Sequence, residues 1–258
     1  MIRAARKRPL VLVHGFTGHP ESWLATRQAL RWEGELLPFT LLGHAGSAAA
    51  PSPFAAETRR LLDEAQTVAT RERPLLAAYS MGARLALSAV VKAPELFAGA
   101  LLIGSSFGLQ NAALREERRR EEARWIDLLE RGGIEAFVSA WEAHPTLRLH
   151  QASEAARQAQ RLRRLAHHPL GLATALRCLG LGEMPDCRPA LPALKLPLFF
   201  MAGAHDAKFR SFADEGSRLA PEGRFLLSRG GHDALLESPS EVAAAIDALD
   251  ERTREIPG

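Results

Sequence analysis

Ala78-Tyr79-Ser80-Met81-Gly82 is the stretch on which the fold turns. It lies between a short apolar run, Pro74 to Tyr79, and a helical pattern, Met81 to Ala93. A serine with small residues two before and two after it, where a buried strand gives way to a helix, predicts a sharp turn that lifts its hydroxyl above the sheet edge. Small neighbours are needed because the strand and helix backbones nearly touch there. Ala78 stands where glycine is usual, and Gly82 keeps the second small position. So short a pattern also arises by chance, and the case therefore rests on what surrounds it.

Outward from the turn, further strand-like runs cover Pro9 to Val13, Gly34 to Thr40, Phe97 to Gly104, Leu196 to Gly203 and Arg224 to Ser228. Helical patterns alternate with them at Pro20 to Trp32, Phe54 to Arg71, Phe209 to Ala220 and Pro239 to Asp250. This alternation predicts an α/β architecture of about six parallel strands with helices on both faces. From Leu109 to about Leu181 the alternation stops. Only helical, Arg- and Glu-rich segments occur there: Asn111 to Arg131, Ile134 to His144, Ser153 to Ala166 and Gly171 to Leu179. A helical insertion after the fourth strand, leaving the edge where ligands bind in open sheets, predicts a lid. The chain thus divides into a core at 1–107, a helical cap at 108–185 and the rest of the core at 186–258.

Two further residues give the serine its meaning. Asp206 follows the fifth strand in Gly203-Ala204-His205-Asp206, and His232 follows the sixth in Gly230-Gly231-His232. Singly, Asp206 also reads as a helix N-cap and His232 as a loop histidine. Together with Ser80, each after a different strand on one sheet edge and in the order Ser, Asp, His, they define a predicted catalytic triad on an α/β-hydrolase fold. His14-Gly15-Phe16 follows the first strand, so the backbone N–H groups of Phe16 and Met81 are the candidate oxyanion hole.

Composition bounds the rest. With 47% hydrophobic and 24% charged residues over 258 positions, the chain reads as an ordinary globular protein and not a disordered one. The apolar run behind the basic stretch Met1 to Arg8 stops at His14-Gly15, too short for a signal peptide or a membrane span. A cytoplasmic protein without membrane insertion is expected, and a net charge of +3 gives no reason to expect nucleic acid. Of 33 basic residues only Lys7, Lys92, Lys195 and Lys208 are lysine. Arginine binds carboxylates bidentately, but codon use in a GC-rich genome explains the general excess, and only arginines at special positions carry functional weight. Cys178 and Cys187 have no His or second Cys at metal-ligand spacing, so reduced thiols, no metal and no cofactor are expected. Nothing in the sequence specifies an oligomeric state.

Beyond the fold, several stretches are similar to one family. They are Gly108-Leu109-Gln110-Asn111, Arg115-Glu116-Glu117-Arg118, Trp125, Phe137 and Trp141 in the cap. Outside it are Leu42-Gly43-His44-Ala45-Gly46-Ser47, Tyr79-Ser80-Met81-Gly82-Ala83-Arg84 and Asp206-Ala207-Lys208-Phe209-Arg210. Over nearly its whole length the chain resembles the 2-succinyl-6-hydroxy-2,4-cyclohexadiene-1-carboxylate synthases of menaquinone biosynthesis, most specifically in the cap. The resemblance implies a lyase: a triad-dependent base removes a proton, pyruvate leaves, and no water is added. It implies a small substrate bearing several carboxylates, held by Tyr79, Arg84, Arg118, Trp141 and Arg164, with the register between Arg163 and Arg164 open.

Arg84 has independent support, because it lies one turn into the elbow helix on the face of Ser80, where a helix N-terminus favours anions. Read by residue type alone, Arg118 belongs to a solvated helix face and Trp141 to the interior of the cap. The alternative is a serine hydrolase acting on a small ester, thioester or carbon–carbon bond, and a third is a binding protein on an inactive hydrolase fold. The complete triad argues against the third. It cannot choose between the first two; the cap arginines, suited to a polyanion, favour the lyase. Two departures from the family pattern are Ala78 and Ala83, where glycine is usual, which predict a slightly crowded elbow. The first strand lies near the start of the chain, so the first two strands of larger hydrolase-fold enzymes are expected to be missing.

Overall fold

Four apolar runs are buried along their whole length: β1 (Leu10–Val13), β3 (Leu75–Tyr79), β4 (Gly99–Ile103) and β5 (Leu198–Gly203). Continuous burial is what a parallel sheet covered on both faces demands. The partly exposed strands β2 (Leu36–Phe39) and β6 (Gly223–Ser228) form its edges. In this computed structural model, which describes residues 8–30, 32–45, 50–69 and 72–255, the six strands run parallel in the order β2-β1-β3-β4-β5-β6. The order reverses direction between β1 and β3, and such a switch point opens a crevice beyond the strand ends. Val13 pairs with Ala78, so His14-Gly15 and Tyr79-Ser80 leave the sheet side by side.

One face of the sheet carries α1 (Leu24–Ala29), with the 3-10 turn Pro20–Trp23 before it, and α10 (Pro239–Glu255). There Leu10, Leu12, Leu75 and Leu101 pack with Trp23, Val242 and Ile246. The other face carries α2 (Phe54–Val68), α3 (Met81–Lys92) and α8 (Ala207–Leu219), packed on Val11, Val13, Leu76 and Phe200. Strand alternation sends odd and even residues to opposite faces, which is why each strand feeds both layers. The predicted helix Pro20 to Trp32 is shorter, ending at Ala29. Helix α8 starts two residues earlier than expected because Asp206 caps it, accepting from the Phe209 amide at 3.4 Å. A short helix α9 (Ala234–Glu237) after His232 was not expected; Asp233 caps it through the Leu236 amide at 3.2 Å.

Between β4 and β5 the chain forms α4 (Ala112–Asp127), a π-helical turn (Leu128–Gly132), α5 (Gly133–Glu142), α6 (Glu154–Leu165) and α7 (Pro169–Leu179), with no strand. Side-chain bonds tie these helices to the loops beyond the strand ends: Gln160 donates to Asp233 at 2.5 Å, and His167 meets the Thr17 carbonyl at 3.3 Å. Phe137, Val138, Leu172 and Leu176 join the same apolar cluster as Val13, Leu76 and Met81, so the insertion has no separate core. Among the described residues no helix is long and apolar enough to cross a membrane. The basic stretch up to Lys7 and the Gly46-Ser47 part of the Leu42–Ser47 motif lie outside the described residues.

Candidate active site

The elbow forms as its residue sizes require. Ser80 adopts φ +53° and ψ −113°, a conformation costly for any residue with a Cβ, and is held by its amide donating to Ile103 O at 2.8 Å. A Cβ on Gly82 would penetrate the His14 carbonyl oxygen and Val13, so this position admits only glycine. Ala78 and Ala83 are both fully buried, and the turn accommodates both methyl groups.

From Ser80 a hydrogen-bonded series runs through two other strand ends. Its Oγ lies 3.0 Å from His232 Nε2, and His232 Nδ1 lies 2.7 Å from Asp206 Oδ2. A carboxylate only accepts, so Nδ1 carries the hydrogen and Nε2 faces the hydroxyl as an acceptor. Asp206 thus caps α8 with Oδ1, as one of its sequence readings had it, and holds the imidazole with Oδ2. Asp206 and His232 are buried. The ring fits because Gly104 ends β4 at φ +60°, where a Cβ would lie 2.8 Å from His232 Cε1. Phe209 packs against its other side at 4.4 Å between centroids. Such a series can move a proton to or from Ser80.

Two cavities open on Ser80 and share Phe16, Ser80, Trp141 and Leu147 in their walls. The larger, of about 150 Å³, is lined by Arg84, Arg118, Trp125, Lys208 and His232. The smaller, about 60 Å³, is lined by Tyr79, Gln160, Arg163, Arg164 and Asp233. The three predicted arginines therefore do not meet in one place: Arg84 and Arg118 lie on one side of Ser80 and Arg164 on the other. Trp141 stands between them, edge-on to Phe16 at 5.3 Å and stacked on Phe137 at 5.5 Å.

The arginines also differ in how they are held. Arg84 has a buried Nη1 without a partner, and burial lowers its pKa to about 10, with Glu122 opposing the shift and Arg118 adding to it. Arg118 is already engaged, through Nε to Glu122 at 2.9 Å and Nη1 to Glu121 at 3.2 Å. Glu122 is 4% exposed and also accepts from the Leu181 amide at 2.8 Å. Arg164 pairs with Glu142 at 3.1 Å and keeps an unpartnered buried Nε. Burial pushes the Tyr79 phenol well above its ordinary pKa, and Asp233 adds to the rise. Its neutral hydroxyl is therefore available as a hydrogen-bond donor.

Lys208, Trp125, Gln160 and Asp233 were not predicted as lining residues. Lys208 was legible in principle, because it is one of four lysines and stands two residues past Asp206. Gln160 and Asp233 carried no signal: their place depends on how α6 meets the loop after β6.

The parallel sheet, the serine elbow and the helical insertion define an α/β-hydrolase, and the model of the alpha/beta hydrolase family matches residues 10–245. Over 242 residues the chain is 32% identical to the 2-succinyl-6-hydroxy-2,4-cyclohexadiene-1-carboxylate synthase of Salmonella schwarzengrund (strain CVM19633), covering 93% of this chain and 91% of that one. It belongs to that synthase family. The solved structure of MenH from S. aureus superposes with a TM-score of 0.89 at 26% identity, covering 98% of this chain and 96% of the other. A thermophilic esterase from Thermogutta terrifontis, solved with malate bound, gives a TM-score of 0.77 at 25% identity over 96% and 91% of the two chains.

Proposed function

We propose that this protein is a carbon–oxygen lyase that forms 2-succinyl-6-hydroxy-2,4-cyclohexadiene-1-carboxylate in menaquinone biosynthesis by eliminating pyruvate from a polycarboxylate cyclohexene. Ser80, His232 and Asp206 act as one base. The proton taken from a substrate carbon passes through the Ser80 oxygen to His232 Nε2, and Asp206 stabilises the resulting imidazolium. The electron pair of the broken C–H bond becomes a carbon–carbon double bond as the C–O bond to the leaving group breaks. The leaving group takes up a proton and departs as pyruvate. Negative charge developing on a substrate oxygen is met by the Phe16 and Met81 amides.

The observation that carries this reading is the buried, unpartnered Nη1 of Arg84 in the wall of the cavity that also holds Ser80 and His232. An unpaired buried donor on a cation is costly unless a ligand completes it. A carboxylate does so with a charge-assisted bond, about twice as strong as the one a neutral ester carbonyl could accept. Residues 108–185 then serve as the cap, presenting Arg118 and Arg164 on opposite sides of the serine. The test is incubation of purified protein with the pathway intermediate while pyruvate is followed through NADH oxidation by lactate dehydrogenase. Rapid pyruvate formation supports the lyase; turnover of short esters with no pyruvate would assign the same triad to hydrolysis.

A further inference from the structure

The loop after β1 is held by three buried histidines that the proposed chemistry does not use. His14 stands at the end of β1, His44 in the loop after β2, and His167 between α6 and α7. Their rings meet in sequence, edge to face, with centroids 5.0 Å apart for His14 and His44 and 5.3 Å for His44 and His167. None is more than 5% exposed.

Each ring holds one peptide unit of the loop. His14 Nδ1 donates to the Gly15 carbonyl at 2.8 Å, and that oxygen also accepts from the Gly18 amide at 3.0 Å. Carbonyl and N–H point in opposite directions across a trans peptide. Fixing the Gly15 carbonyl therefore fixes the direction of the Phe16 N–H. The next unit is held by the Thr17 amide donating to His44 Nε2 at 3.1 Å, and the one after by His167 Nε2 donating to the Thr17 carbonyl at 3.3 Å. Thr17 sits at φ +60°, a conformation that a threonine keeps only when its surroundings impose it.

The bonds of His14 and His44 work only with neutral rings. His14 Nε2 accepts the Leu41 amide at 3.2 Å while its Nδ1 donates. His44 Nε2 accepts the Thr17 amide while its Nδ1 donates to Leu42 O at 2.9 Å. A protonated imidazole has no acceptor and loses one bond of each pair. Burial lowers all three pKa values, that of His14 to about 3, so the rings stay neutral where the enzyme works.

We propose that His44 and His167 are positioning residues which, with His14, lock three successive peptides so that the Phe16 N–H faces the substrate oxygen. His167 further links that lock to the cap. Its amide donates to Arg164 O at 3.3 Å, so the turn that presents Arg164 to the smaller cavity also holds the oxyanion loop. A cap displaced at this turn releases the Thr17 carbonyl.

This inference rests on the reading of Phe16 as an oxyanion donor, and its test separates the two. His167→Phe fills the ring's space without a donor, and His167→Gln restores an N–H. Losing one oxyanion donor outright costs roughly a hundred- to a thousandfold in kcat. A loosened donor is expected to cost about tenfold, with KM within about twofold, and Gln should recover most of the loss. Amide exchange at residues 15–18 should quicken in the Phe variant and not in the Gln variant. Equal losses in both, or unchanged kcat and exchange in the Phe variant, would overturn the proposal. Should wild-type protein release no pyruvate, the functional reading fails and exchange at 15–18 alone decides. If the Phe variant does not fold, imidazole nitrogen NMR of wild type decides: hydrogens on Nδ1 of His14 and His44 and on Nε2 of His167 support the lock. Any other set of tautomers overturns it.

Discussion

Ser80 and the cap arginines sit around the same cavities, yet they are placed by different physics. Ser80, Asp206 and His232 each follow a strand of the parallel sheet, and their positions are set by backbone register and by glycines that leave room for them. Arg118 and Arg164 project from helices α4 and α6, and their positions are set by side-chain partners, Glu122 and Glu142. The strand ends are rigid because moving them means breaking ladder hydrogen bonds in a buried sheet. Arginine heads on helices move by breaking side-chain bonds alone, those of Arg118 to Glu121 and Glu122 and that of Arg164 to Glu142. The proposed base is thus on the stiff side of the cleft and the proposed cap contacts, Arg118 and Arg164, on the adaptable side.

The comparison predicts that effects fall off from the first side to the second. Ser80→Ala and His232→Ala should each lower kcat for pyruvate release by about a hundred- to ten-thousandfold, the range a positioned base contributes. The double variant should be little worse than either single one, because the residues act as a unit. Steady-state assays of the three proteins check this. Additive losses would mean that the two groups work independently and that the hydrogen-bonded series is not the base.

Arg84 should come next. A charged hydrogen bond is worth about 1.5–3 kcal/mol, so Arg84→Ala is expected to lower kcat/KM roughly ten- to a hundredfold, with Lys rescuing only in part. Arg118→Ala should cost less than Arg84→Ala, because Arg118 already shares its charge with Glu121 and Glu122. Any hydrolysis of a short uncharged ester should be nearly unaffected by Arg118→Ala. Parallel losses on both substrates would indicate a folding defect or a damaged triad, and would remove the case for carboxylate recognition by the cap.

What could be read in advance follows the same division. All six strands, the insertion and the meeting of Ser80, His232 and Asp206 were legible because each depends on local pattern: buried runs such as Leu75–Tyr79, small residues around Ser80, and glycines beside Asp206 and His232. The arginines were legible only as types. That Arg118 is engaged by a carboxylate follows its i,i+4 spacing from Glu122, but nothing in so charged a helix marks Glu122 as buried and bonded to the Leu181 amide. His14 was legible as part of a motif and His44 as part of another. That their rings exchange amide bonds between the loops after β1 and β2 depends on the pairing of those strands, and His167 joins them only through the docking of the cap.

The histidine lock adds a pH prediction. Each ring has a folded pKa below the ordinary histidine value of 6.5, and for His14 it is about 3, with the charges of His19 and Arg60 adding to the effect of burial. Between those values the unfolded chain binds protons that the folded chain does not, so stability falls as pH drops from about 6.5 towards 3. Each ring contributes a slope of up to about 1.4 kcal/mol per pH unit. The urea midpoint should therefore decline from about pH 7 to about pH 5, and less steeply in His44→Gln. Equal slopes in variant and wild type would mean that His44 is protonated in the folded protein.

The smallest effect concerns the elbow itself, where Ala83 replaces the glycine usual in the family. Ala83 is fully buried in the first turn of α3, and the turn forms around its methyl group, so the crowding expected from the sequence has been absorbed. Ala83→Gly then removes a methyl from a packed interior and adds backbone freedom to a helix, each effect destabilising. Helix propensity alone costs about 1 kcal/mol, which for a chain of this size corresponds to a fall in Tm of about 2–4 °C. The Ser80 hydroxyl is positioned by β3, by the Ile103 carbonyl and by the Gly82 contact, none of which involves the Ala83 side chain. Differential scanning calorimetry should accordingly show the lower Tm while kcat/KM stays within about twofold of wild type. A rise in kcat with the lower Tm would show that the methyl group does strain the elbow, and that the stiff side of the cleft has more freedom than its backbone register implies.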